Sequence, residues 1–136
     1  MGLSKQKGYM GEIAIMSDIL KKGYKVAIPY GEDWDFDLLV LKDEKNGKFE
    51  RLQCKYVKSD GRTIIVSCRS TNNWKTKKYT SQTVDWIAVY DETTDKCYYI
   101  PSKEFEQGRA AITLRLVSPK NNQKAKIKWA KDYLNF

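Results

Sequence analysis

The stretch DFDLLVLKDEKNGKFERLQCKYV, residues 35–57, decides the fold. Two apolar runs, DFDLLVL and FERLQCKYV, flank a polar turn, KDEKNGK, and together read as a β-hairpin. Strand side chains alternate between faces. One face then takes Phe36, Leu38 and Val40 with Leu52, Cys54 and Tyr56. The other takes Asp35 and Asp37 with Arg51, Gln53 and Lys55. If Leu41 pairs with Phe49, antiparallel register sets Asp37 across from Gln53 and Asp35 across from Lys55. Such neighbours have Cβ atoms about 5 Å apart, so an acid, an amide oxygen and an ammonium converge on one patch. Two readings of that patch stand at this point: a solvated hairpin face with cross-strand ion pairs, or a chemical site.

Outward from the hairpin, SKQKGYMGEIAIMSDILKKG at residues 4–23 predicts a helix. Ile13, Met16, Ile19 and Leu20 recur at helical spacing, and Gly23 closes it. YKVAIPY is a short strand stopped by Pro29 and Gly31. Beyond the hairpin, TIIVSCR, VDWIAVY and KCYYIP read as strands, and a turn of helix follows Pro101. STNNWKTKKYTSQT, residues 70–83, reads as a loop leading into a short helix. AITLRLV gives one more strand, and AKIKWAKDYLNF a short terminal helix with Ile127, Ala130 and Leu134 on one side. Helix, strand meander and mixed tail make an α+β fold: an N-terminal helix packed on a mixed β-meander with a short C-terminal helix. At 136 residues the chain suits one domain spanning 1–136.

Composition narrows the chemistry. The chain has no histidine, which excludes His-based triads, His metal ligands and a His general base. Catalysis would have to run through carboxylates, Lys, Tyr or Cys. Cys54, Cys68 and Cys97 are odd in number and widely spaced, so they read as reduced residues and not as a disulfide frame or zinc site. No apolar run is long enough to span a membrane and the start shows no signal-peptide core, so an intracellular, cytoplasmic protein is expected. The net charge of +8 points to a polyanionic partner, because clustered Lys and Arg displace the counterions of a phosphate backbone.

Glu12 lies near the apolar stripe of the first helix, ahead of Ile15, Met16 and Ile19. A carboxylate there is costly to desolvate unless it meets a cation, a metal or hydrogen-bond donors. A boundary Glu bonded to Lys5, Lys22 or a backbone amide is the alternative. Taken together, Glu12 in GYMGEIA, Asp37 in DWDFDLLV, and Gln53 with Lys55 in LQCKY resemble the PD-(D/E)xK nuclease superfamily: a helix Glu, an Asp on the second strand, then an acid-x-Lys pair on the third. The resemblance covers roughly Lys7 to Pro101. It is closest to the PD-(D/E)xK group I intron homing endonucleases, in which Gln can replace the second acid. That branch also has a Tyr, Asp-Trp and strand order like YTSQTVDWIAVY and YYIP. The archaeal Holliday junction resolvases, which share the helix Glu, come second.

The resemblance implies a Mg²⁺-dependent DNA endonuclease, with Mn²⁺ as a possible substitute, acting on double-stranded or branched DNA. Asp37 would be the main ligand of the ion, with the Gln53 amide oxygen and the Cys54 backbone carbonyl beside it. Glu12 would bind directly or through water. A hard cation that retains several waters suits such oxygen donors. Lys55 would stabilise charge developing on the phosphate. One site per chain implies a symmetric homo-oligomer, a dimer or tetramer, for double-strand cutting. A non-catalytic nucleic-acid-binding domain that kept the fold is the contrasting reading. RSTNNWKTKKY places Arg69, Lys75, Lys77 and Lys78 beside Trp74 and Tyr79. This mixture suits phosphate contacts and wedging against bases, or equally a flexible charged loop.

Overall fold

A computed structural model describes residues 2–72, 75–106, 108–121 and 126–136, with backbone alone for 70–72 and 75–77. Helix α1 (Leu3–Lys21) ends where Gly23 takes a φ of 92°, a left-handed turn that glycine adopts without strain. Among the described residues nine strands follow: β1 (Lys25–Ala27), β2 (Leu38–Asp43), β3 (Lys48–Val57), β4 (Thr63–Ser67), β5 (Arg69–Asn72), β6 (Lys75–Lys78), β7 (Trp86–Asp91), β8 (Lys96–Pro101) and β9 (Ala111–Arg115). The main sheet has the order β1-β2-β3-β7-β8. Its β3–β7 pair is parallel and the rest are antiparallel, so the sheet is mixed as expected. β4 pairs with β9, and β5 with β6.

The core lies in two layers, one on each face of the sheet. On the α1 side, Ile15 and Ile19 pack with Leu38, Val40, Leu52, Ala88, Cys97 and Tyr99. On the other side, Ile87, Val89, Tyr98 and Ile100 meet β4, β9 and Phe105. The alternation along β7 and β8 accounts for this division, since odd and even residues feed different layers. The three cysteines are free thiols. Among the described residues no helix is long and apolar enough to cross a membrane.

Four local expectations are corrected. The buried face of α1 is Gly11, Ile15 and Ile19, whereas Ile13 and Leu20 are 64% and 55% exposed. A count of apolar residues passes over Gly11, yet that glycine sets the face. A Cβ built on it would stand 3.2 Å from the Tyr56 Cβ and 3.4 Å from the Lys55 carbonyl oxygen. Phe36 falls before β2 begins and packs with the layer opposite α1. Residues 70–83 hold no helix among those described: Arg69 pairs with Lys78 and Asn72 with Lys75 in a hairpin. Polar side chains hide the alternation, but backbone pairing does not require apolar ones. The terminal helix reduces to a 3-10 turn over Ala130–Tyr133, because Lys126 has a φ of 59° and Trp129 is extended.

The two helix glycines therefore respond oppositely to alanine. A methyl on Gly8 would meet no atom within 4 Å, so Gly8→Ala should raise stability by about 0.5–1 kcal/mol through helix propensity. Gly11→Ala should lower it by about 1 kcal/mol, because the added methyl lifts α1 from β3. Urea unfolding of both variants checks the pair; equal gains would show that the close approach is not a constraint.

Candidate active site

β3 changes partner part-way along its length. Its ladder with β2 ends at Leu38↔Leu52, and its ladder with β7 begins at Leu52↔Trp86. Asp37 stands at the edge thus vacated by β2. Its N–H donates to the Leu52 carbonyl at 2.8 Å, and its Oδ2 accepts the Cys54 N–H at 2.9 Å. A carboxylate here takes over the role of a ladder carbonyl. The register expected from sequence holds, with Leu41 opposite Phe49, and Asp37 falls beside Gln53. Asp35 lies outside this ladder; its charge is felt by Arg51 instead. Arg51 itself clamps β3 to the start of β7, its Nε and backbone N–H both donating to Asp85 Oδ2, at 3.0 and 2.8 Å.

Gln53 and Lys55 pair with Ile87 and Val89, whose side chains feed the layer opposite α1. Glu12 arrives from the helix side, carried by the turn that Gly11 presses against Lys55 and Tyr56. The uncovered edge lets the two faces meet around Asp37. Burial raises the Glu12 pKa, and the Asp37 charge raises it further. Burial also raises Asp37, against the Cys54 N–H and the Lys55 charge, which lower it. Lys55 is pulled down by burial, with Asp37 opposing. The Cys54 thiol is pushed far up by burial and by both carboxylates, which makes it a poor nucleophile.

Glu12 and Asp37 line one cleft of about 290 Å³ with Ile28, Pro29, Asp33 and Trp34. Sequence reasoning misses this wall, because Pro29 and Gly31 signal only the end of a strand. It is ordered by the Trp34 Nε1–H donating to the Tyr30 carbonyl at 3.0 Å and by an edge-on contact between Trp34 and Phe36. Among the described residues no three His, Cys, Asp or Glu side chains are grouped to hold a metal ion. The cleft holds three carboxylates, half-buried Glu12 and Asp37 and exposed Asp33, and Gln53 stands on β3 between the two residues that Asp37 hydrogen-bonds.

The expected DNA-contact residues separate. Arg69 opens β5 and Lys78 closes β6, both exposed. Lys75 and Lys77 lie on β6, whereas Trp74 falls outside the described residues. Tyr79 is only 4% exposed and belongs to the core. Burial removes it from any surface wedge. Its ring instead faces Lys55, whose Nζ lies 5.1 Å from the ring centroid.

The helix-and-mixed-sheet fold, with a helix acid and an edge Asp lining one cleft and a strand Lys electrostatically coupled to that Asp, is that of a nuclease. The model of the PD-(D/E)XK endonuclease family matches residues 3–136, and the chain belongs to that family. Its fold is similar to that of the bacterial homing endonuclease I-Ssp6803I: TM-score 0.70, 23% identity, covering 97% of this chain and 88% of that one. No curated protein matches the chain.

The raised Glu12 pKa fixes a pH signature. As pH climbs past the ordinary carboxylate range, the unfolded chain releases this proton while the folded one still holds it. The ionised carboxylate therefore costs stability at neutral pH. Glu12→Gln should raise the melting temperature of the metal-free protein by a few degrees at pH 7 and by nothing well below the ordinary Glu range. Thermal scans across pH test this; a neutral-pH loss in the variant would mean that Glu12 is paired favourably.

Proposed function

We propose that the chain is a Mg²⁺-dependent DNA endonuclease, a single nuclease domain over residues 1–136 that hydrolyses phosphodiester bonds as a homing-type, site-specific enzyme. The observation that carries this reading is Asp37, fixed on the β3 edge by the Cys54 N–H and electrostatically coupled to both Glu12 and Lys55. Two half-buried carboxylates whose ionised forms are disfavoured are suited to a cation. The donors are oxygens alone, which suits a hard ion that keeps part of its water shell. Glu12, Asp37, the Gln53 amide oxygen and the Cys54 carbonyl would hold it. Both backbone groups of an extended residue face the same strand edge, so that carbonyl faces the edge Asp37 occupies. Mg²⁺ bound there would polarise the scissile phosphate and lower the pKa of a water.

The chain's own groups supply the rest. Lys55 keeps donor capacity for a phosphate oxygen as negative charge develops on it. Arg69 and Lys78, with Lys75 and Lys77 on the same hairpin, place cations for backbone phosphates, in keeping with the +8 charge. The fold likeness to a bacterial homing endonuclease supports the homing-type reading. Cutting both strands of a duplex needs two sites, hence a symmetric homo-oligomer. Helix α1 offers a face for it. Leu3, Met10, Ile13 and Leu20 recur at spacings of seven, three and seven on the side away from the sheet, with exposures of 74, 43, 64 and 55%.

Supercoiled plasmid should be cut with Mg²⁺ or Mn²⁺, and bound but left intact with Ca²⁺. Asp37→Asn should reduce cleavage by roughly a hundredfold or more, with DNA affinity changed little, since the basic surface is untouched. Full activity in excess EDTA would sink the proposal, and metal-independent binding without cleavage would leave a DNA-binding domain. For the oligomer, light scattering should report a single protomer when Ile13→Lys and Leu20→Lys are combined. Linear plasmid should then be lost as a product while nicked circles persist; an unchanged mass would remove α1 from the interface.

A further inference from the structure

Lys55 is held from two directions, and both come from one hairpin. Its Nζ donates to the Arg69 carbonyl at 3.3 Å and lies 5.1 Å from the centroid of the Tyr79 ring. Arg69 is the first residue of β5, Tyr79 follows the last residue of β6, and the Arg69↔Lys78 pair joins the two feet. The feet are anchored in turn: the Tyr79 N–H donates to the carbonyl of buried Cys68 at 2.9 Å, and Tyr79 is itself a core residue. An ammonium has three donors on a flexible stem, and a half-buried one settles where each finds a partner. An aromatic face attracts a cation most strongly where water is partly excluded.

We infer that Tyr79 is a positioning residue for Lys55: its ring face, with the Arg69 carbonyl, holds the ammonium beside Asp37 in the orientation that cleavage needs. This rests on the nuclease reading of the site. Tyr79 thereby acts on the rate of the chemical step and not on DNA affinity, although it closes a hairpin that carries basic residues. The two roles separate cleanly in kinetics, because a DNA contact changes binding and a positioning contact changes turnover.

The test is single-turnover cleavage of plasmid DNA in Mg²⁺, with DNA affinity measured in Ca²⁺, for Tyr79→Phe, Tyr79→Leu, Lys55→Met and the Tyr79→Leu/Lys55→Met pair. Tyr79→Phe keeps the ring face and should cleave within about threefold of the parent. Tyr79→Leu should slow cleavage roughly tenfold, the scale of a partly desolvated cation–π contact, with affinity unchanged. In the Lys55→Met background the same substitution should cost nothing further. Should Tyr79→Leu fail to fold, replacing Tyr79 with mono- to pentafluorinated phenylalanines gives the same shape with a progressively weaker ring face, and the rate should fall along the series. A flat series, a loss of affinity without a loss of rate, or an equal loss in the Lys55→Met background would overturn the inference alone. A Lys55→Met protein as active as the parent would overturn it together with the active-site reading.

Discussion

A single hydrogen bond organises the site, from the Cys54 backbone N–H to the Asp37 carboxylate. β3 is longer than its partner β2, so beyond Leu52 its outer edge has lost its ladder. An N–H left unpaired in a half-buried place costs about as much as a lost hydrogen bond. Asp37 supplies the acceptor, and in doing so a side chain becomes part of the sheet. Its position is then as rigid as the strand it caps. Everything else at the site is placed relative to it: Gln53 and Lys55 by register along β3, and Glu12 by the close approach of Gly11 to the same strand.

That rigidity holds an electrostatic conflict in place. Burial raises Glu12 and Asp37 and lowers Lys55, so each of the three groups is less favourably charged than it would be in water. Asp37 and Lys55 relieve one another in part, whereas Asp37 makes Glu12 worse. A site built only for stability would replace such groups by neutral ones. Two perturbed carboxylates in one cleft, one of them coupled to a perturbed lysine, are the arrangement expected where the binding energy of a charged ligand offsets the cost later. Gln53 limits the conflict. A carboxylate at that position would add a third negative charge to an edge where the first two already resist ionisation.

The first hairpin is legible in the sequence because its information is local. A polar turn between two alternating runs, closed at Asp43↔Lys48 with one register shift before Leu41↔Phe49, sets the pairing, and that pairing brings Asp37 beside Gln53. Glu12 is legible only as a carboxylate near an apolar stripe; that it lines a cleft with Asp37 depends on a helix-to-sheet distance set by Gly11, which no hydrophobic pattern records. The β5–β6 hairpin is hidden for a related reason, since its strands are too polar to show alternation. Tyr79 reads as surface because its neighbours in sequence are lysines. Its ring turns inward at the foot of that hairpin, a consequence of long-range packing against β4 and Cys68.

The parallel pairing of β3 with β7 links these features. Parallel neighbours cannot be joined by a tight turn; they require a crossover of a dozen residues or more. Here the crossover is the segment between Val57 and Trp86, and it carries β4, β5 and β6. It must leave the end of β3 and return to the start of β7, where Asp85 meets Arg51. Its last hairpin therefore ends close to the face that Lys55 occupies. One edge of β3 is left to Asp37 because β2 stops at Leu38, and the parallel partner on its other edge demands the connection that delivers Arg69 and Tyr79 to Lys55. Both placements are made along one strand, β3, which is why residues so distant in sequence meet around Asp37 and Lys55.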